Sequence, residues 1–165
     1  MKTIRMSLDL DSIDAAIRKV QAYKKQLEDK INRLIQTLVD YGVGVAKAQV
    51  QQLAAVYTGE LQNSIEGYFD SSSRVGIIKA GAWYAVYVEF GTGIIGAGSP
   101  HPAPASANWI YDVNEHGESG WWYYNDRDGR MHWTQGMESR PFMYYTAHIL
   151  GQKCDEIAKE VFHRD

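Results

Sequence analysis

"YAVYVEFGTGIIGAGSPHPAP", residues 84–104, is the stretch on which the fold turns. It holds a formal G-x-G-x-x-G at Gly91, Gly93 and Gly96, behind an apolar run and beside Glu89. A dinucleotide-binding loop needs those glycines to close a turn and open a helix whose N-terminus holds the pyrophosphate. Pro100, Pro102 and Pro104 follow, each lacking a backbone N–H and pushing its predecessor toward extended geometry. The expectation is therefore that no helix starts here and that no nucleotide is held. The alternative is a structural corner made by Glu89, Gly91, Thr92 and Gly93. "AWYAVYVEF" fits a helical face through Tyr84, Tyr87 and Val88, while its Val and Tyr residues also favour strand. Read as a short helix, it ends at Gly91 as its C-cap, and an extended loop leaves it. Glu89 is then a structural acid. It accepts hydrogen bonds from the N–H groups of the Gly-Thr-Gly turn, or pairs with an arginine such as Arg140.

Upstream, residues 11–56 predict a helix. Ile13, Ile17, Val20, Leu27, Ile31, Leu34, Leu38, Tyr41 and Val45 recur at alternating steps of four and three, with Lys24 in one slot. Asp9 or Asp11 is placed to cap the start. Gly42 and Gly44 predict a kink or a second helix near residues 41–45. This heptad face either packs on its own domain or forms a seam between subunits. Arg18, Lys19, Lys24, Lys25, Lys30 and Arg33 mark a solvated flank, or a docking surface for an acidic partner. "YTGELQNSI" predicts a turn of helix with Thr58 as N-cap. "SIEGYFD" and "RVGIIKA", joined by "SSS", predict an antiparallel pair of strands.

Downstream, residues 92–120 are rich in Gly, Pro, Ser and Asn and predict a long loop, extended or mobile over 94–108 until assembly. "WWYYNDRDGRMHWT" predicts a hairpin turning at Asp128-Gly129. Alternation along its strands places about half of the Trp and Tyr rings outside. Trp121, Trp122, Tyr124 and Trp133 are thus candidate interface residues, for a protein partner or, alternatively, for a glycan stacked on the 121–133 hairpin. "SRPFMYYTAHILGQKCDEIAKEVFH" predicts a final helix with Ser139 as cap and Pro141 in its first turn. The fold class is α+β: a long N-terminal helix, a small antiparallel sheet with a Trp-rich hairpin, and a C-terminal helix. The 165 residues make one domain, with a helical lead over 1–56 and an α+β core over 57–165.

Chemistry is sparse. A net charge of −3 supplies no global basic field for nucleic acid. Cys154, the single cysteine, falls on the apolar face of the last helix and has no partner for a disulfide or a zinc cluster. His101, His116, His132, His148 and His163 show no metal-pair spacing, and "GESG" around Ser119 is not a nucleophile elbow. Glu115 and His116 form a solvated pair in the loop. Glu89 shows no second carboxylate or histidine beside it in sequence, although a hydrolase built on Glu89 and a loop histidine stays open as a further alternative. The expectation is a non-enzyme with no cofactor, no metal and no membrane span. The start "MKTIRMSLDLDS" lacks the apolar run of a signal peptide.

Three stretches in order, "YTGELQNSI", "WYAVYVEFGTG" and "SRPFMYYTAHI", resemble the bacteriophage tail-component family named after the tenth gene product of a lambda-like phage. Thr58, Gly59, Leu61, Ser64 and Ile65 match its first motif, Tyr87 to Thr92 its second, and Arg140, Pro141 and Phe142 its third. Where the family often carries Pro-Ala after R-P-F, this chain has "YTA", so its last helix runs unbroken. The resemblance implies a virion structural protein of the neck or tail, assembled in the host cytoplasm. It would act in tail completion or head–tail joining. It would form a ring, commonly six-fold, around a channel that DNA passes without specific binding. Its partners would be itself and neighbouring neck, adaptor or tail-tube proteins.

Overall fold

The computed structural model describes residues 7, 9–55, 59–111 and 119–163. The expected α+β arrangement is present. Helix α1, Leu10–Gln52, runs 43 residues without interruption, about 65 Å at 1.5 Å per residue. Asp9 caps it by accepting from the Ser12 N–H at 2.8 Å. The expected break at residues 41–45 is absent. Gly42 is a contact residue instead: a Cβ there would overlap the tip of Ile78 and touch Leu150 at 3.5 Å. The small residue lets a strand and a helix approach the same turn, a benefit that outweighs roughly 1 kcal/mol of helix propensity.

Helix α2, Glu60–Asn63, leads into strands β1, Ile65–Asp70, and β2, Val75–Ala80. Their antiparallel register pairs Gly67 with Ile78 and Phe69 with Gly76. These four share one face, and Val39 of α1 fills the space the two glycines leave; a Cβ on either would lie 2.5 Å from its methyls. The opposite face carries Tyr68, Val75 and Ile77, all exposed, beside a Glu66–Lys79 ion pair at 3.4 Å.

Helix α3, Ala85–Phe90, and helix α4, Gly93–Gly98, meet at Gly91. A 3-10 turn, Pro104–Ala107, follows. Strands β3, Trp121–Asn125, and β4, Arg130–Thr134, form a hairpin that is a sheet of its own, separate from β1–β2. The short strand β5, Gly136–Met137, bridges back to Thr92 and Gly93. Helix α5, Phe142–His163, closes the order. It runs antiparallel along α1: Leu150 meets Gly42, and the Phe162 carbonyl accepts from Lys30 Nζ at 3.1 Å.

The core gathers where these elements converge: Ala46 and Val50 of α1, Leu61, Ile65, Ala85, Val88 and Phe142. Phe142, Ile65 and Val50 have almost no exposure, so each contributes about 1.5–3 kcal/mol of burial. The heptad face predicted for α1 is only partly the buried one. Burial falls on Val39, Gly42, Ala46 and Val50, one residue along from Leu38, Tyr41 and Val45. Nearer the N-terminus Ala16 is buried, whereas Ile17, Val20 and Leu27 of the predicted face, and Tyr23 beside the Lys24 slot, are exposed. The β1–β2 turn reaches α1 through Arg74–Glu28 at 3.2 Å, and α5 ends at Lys30. Residues 10–27, roughly 25 Å of helix, extend past both.

Candidate functional site

Glu89 lies in the last turn of α3 and is buried. Its neighbours in sequence are apolar, so burial of its charge requires donors from elsewhere. The first turn of α5 supplies them: Met143 N–H donates to Oε2 and Tyr144 N–H to Oε1, both at 2.9 Å. A helix N-terminus carries unpaired amides and a positive dipole end, and a carboxylate satisfies both. Glu89 is thus the cap of α5, delivered from another helix. Ser139, the cap expected from sequence, instead donates its hydroxyl to the Glu89 carbonyl at 2.7 Å.

His101 completes the arrangement. It is buried, with Nε2 3.2 Å from Glu89 Oε1. Ala103 N–H donates to its Nδ1 at 2.9 Å, so Nδ1 is the acceptor and Nε2–H the donor toward the carboxylate. Both expected partners of Glu89 are therefore corrected. The Gly-Thr-Gly turn does not supply its donors. Arg140 reaches the Ala54 carbonyl at 3.0 Å and Glu138 at 3.4 Å. The expectation that Glu89 lacks a histidine is corrected too, because the loop brings His101 to it. Each carboxylate oxygen is held by a backbone amide, which makes the pair an anchor between loop and helix.

Gly91 turns the chain at φ +77, and a Cβ there would lie 2.7 Å from Ser139 N and 2.8 Å from Met137 O. Gly93, at φ +61, leaves no room for a Cβ against the Gln135 carbonyl. The corner is a backbone-to-backbone contact with the segment before α5, so glycine is required by both conformation and space. Thr92, buried, pairs across it with Met137. The expectation that no helix begins after this corner is wrong, since α4 starts at Gly93. Two of its first amides are nonetheless spent: Gly93 N–H on the Tyr111 carbonyl and Ile95 N–H on that of Gln135. The prolines end the helix rather than preventing it. The predicted long loop is likewise shortened by α4 and the 3-10 turn.

The three motifs behind the resemblance converge here. Gly59 takes the N-cap position of α2 at φ +78, in place of Thr58, which lies outside the described residues. Leu61 and Ile65 are buried. Ser64 Oγ donates to the Leu61 carbonyl at 2.8 Å and accepts from Ala82 N–H at 3.0 Å, tying α2 to the end of β2. Arg140, Pro141 and Phe142 carry the chain from the corner into the core, where Phe142 is 1% exposed. Arg140 N–H donates to the Val88 carbonyl at 2.9 Å, joining the second motif to the third.

A comparison with family models finds one similarity. Residues 14–91 match the model described as "Bacteriophage HK97-gp10, putative tail-component". This segment is HK97-gp10-like. The match ties residues 14–91, just under half of the chain, to a family described as a phage tail component. The HK97-gp10-like segment takes in most of α1, the β1–β2 sheet and Glu89, and stops at Gly91; Arg140–Phe142 and the Trp hairpin lie beyond it. No curated protein and no solved structure matches the chain significantly.

Outside the HK97-gp10-like segment, the hairpin sorts the four predicted interface residues. Cross-strand pairs place Trp122, Tyr124, Met131 and Trp133 on one face, all about half exposed. Trp122 and Trp133 meet edge to face at 5.6 Å. Trp121 points to the other face with Tyr123 and Thr134, toward Trp83 and Tyr87. Met131 joins the predicted set through strand alternation alone, which could have been read from sequence. His101 carried no such signal, because its partner lies on a different element. Among the described residues no group of three His, Cys, Asp or Glu is placed to hold a metal, and no helix is long and apolar enough to cross a membrane. His116 and Glu115 lie outside the described residues.

Proposed function

We propose that this chain is a structural subunit of the phage neck or tail. It assembles with itself into a ring, six-fold to match a tail tube, in tail completion or head–tail joining, around a channel for DNA. The observation that supports this reading is the exposed apolar surface among the described residues. Ile17, Val20, Tyr23 and Leu27 line an α1 segment that extends beyond the body, and Trp122, Tyr124, Met131 and Trp133 line one face of the hairpin. Each aromatic ring carries roughly 150–250 Å² of surface, so the hairpin patch alone is on the order of several hundred Å². Patches of that size support protein contact, and the charge-mixed tip Asp126-Arg127-Asp128 suits a protein partner better than a polyanion. The slightly negative chain fits a channel that DNA traverses without being gripped.

The virion is the expected location, with assembly in the host cytoplasm and with adaptor or tail-tube subunits as partners. Native mass spectrometry of the full chain, alone and mixed with those subunits, tests this. A closed oligomer in any of these mixtures is the expected result, and a strict monomer in all of them defeats the ring.

A further inference from the structure

One cleft is left unused by the corner and by the exposed hairpin face. Trp83 and Tyr87 form one wall, Trp121 and Tyr123 the other, and Thr92, Thr134, Gly136 and Met137 the rest. Its volume is about 540 Å³, within the range of small-ligand sites. Trp83 is 79% exposed, yet it is held edge-on to Tyr84 at 5.6 Å and to Tyr87 at 6.3 Å. No residue lining the cleft is charged, and none has a planar amide or carboxylate side chain. A cation would find no counter-charge there, and a sugar would lack the bidentate partners its paired hydroxyls require. Facing aromatic rings with indole N–H and phenol O–H donors are the chemistry that takes proline rings from an extended chain. Prolines supply flat apolar faces and bare carbonyls without N–H groups of their own.

The same chain displays such a segment. Over Pro100-His101-Pro102 burial alternates: His101 is 4% exposed, while both prolines face outward. The segment is pinned by Ser139 N–H donating to the Ser99 carbonyl at 3.3 Å and by His101 N–H donating to the Tyr111 hydroxyl at 2.9 Å. The prolines are thereby fixed before any partner arrives, which removes most of the ordering cost. They cannot enter their own cleft. His101, Phe90, Trp109, Tyr87 and Trp83 form a ladder of ring contacts at 4.4, 5.2, 5.8 and 6.3 Å, with the prolines at one end and the cleft at the other.

We propose that the cleft between Trp83 and Trp121 in one copy receives the Pro100–Pro102 ridge of the next copy. This is a head-to-tail contact of the kind that closes rings, and it rests on the ring reading above. The test uses two full-length variants, Trp83→Ala in the cleft and Pro100→Ser/Pro102→Ser in the ridge, with thermal melts to verify folding. Each alone should need about tenfold or more higher concentration to assemble than the parent, since an aromatic anchor is lost or left unfilled. Mixed one to one, they should form a heterodimer through their single intact pairing and nothing larger. Rings formed by either variant at the parental concentration leave the ring standing and overturn this contact. A peptide of residues 97–105 supplies an independent readout. Saturable quenching of tryptophan fluorescence in the parent, lost in Trp83→Ala, supports the cleft even if the parent stays monomeric and the ring reading falls. No response to the peptide, or saturable binding of cellohexaose in its place, overturns it.

Discussion

The two ends of α1 share one sequence pattern and have opposite surroundings. From residue 28 onward the helix is covered: Val39 sits over Gly67 and Gly76, Gly42 touches Ile78 and Leu150, and Ala46 and Val50 are fully buried. Over residues 10–27 the same alternation of three and four continues, but Ile17 and Val20 on it remain half exposed, with Ala16 the one buried residue among these described positions. An isolated helix of that length is marginal in water, so the arm is held by continuity with the packed half and by its Asp9 cap. Periodicity shows that a helix has an apolar face. It does not say whether the covering partner belongs to the same chain.

The sharpest way to break this comparison is one substitution made in both halves. Val50→Asp buries an unpaired charge in the core and should cost on the order of 4 kcal/mol or more, enough to unfold a marginal domain. Val20→Asp should change the melting of the free subunit by no more than about 0.5 kcal/mol while preventing assembly. Urea unfolding and native mass spectrometry on both variants check this. A Val20→Asp subunit that assembles normally removes the arm from the interface.

Next in size is the Glu89 anchor. Glu89→Ala strands two α5 amides and the His101 N–H, at a cost of about 3 kcal/mol or more. Glu89→Gln keeps one acceptor and should cost about 1–3 kcal/mol. At roughly 2–4 °C per kcal/mol, calorimetry should separate the two from each other and from the parent. If Glu89→Ala melts like the parent yet abolishes head–tail joining in vitro, a direct contact to a partner replaces the anchor role.

Trp122→Ala with Trp133→Ala should leave the core melting nearly unchanged, because the hairpin is a separate sheet. The same pair should weaken capture by tail-tube or adaptor subunits, measured by sedimentation. Loss of the core transition would show that the hairpin is part of the body after all.

The smallest effect is expected at the tip of the arm. The Ser7 hydroxyl and then the Ser12 amide hold the Asp9 carboxyl below its ordinary pKa of 3.8. A depressed carboxylate stabilises the helix above the unfolded value, and that contribution disappears as pH falls through the lowered one. Hydrogen exchange of the first α1 turn should therefore quicken at acid pH in the parent. In Asp9→Ala it should be fast throughout, with exchange beyond residue 28 unchanged.

Several features were legible because they are local. The heptad spacing, the Gly91 helix stop, the paired strands and the Asp128-Gly129 hairpin each depend on residues a few positions apart, where backbone preference and periodicity act. The two glycines read as a kink in α1 were misjudged for the same reason. Propensity speaks of the isolated helix, whereas Gly42 answers to Ile78 across the sheet. The tertiary structure alone decided the rest. Glu89 finds His101 twelve residues on and the amides of Met143 and Tyr144 more than fifty residues on. The Trp hairpin stands apart from the β1–β2 sheet, and one end of α1 is covered while the other is largely exposed. Such pairings depend on which surfaces remain available once the core has closed, and no spacing within a single segment encodes that.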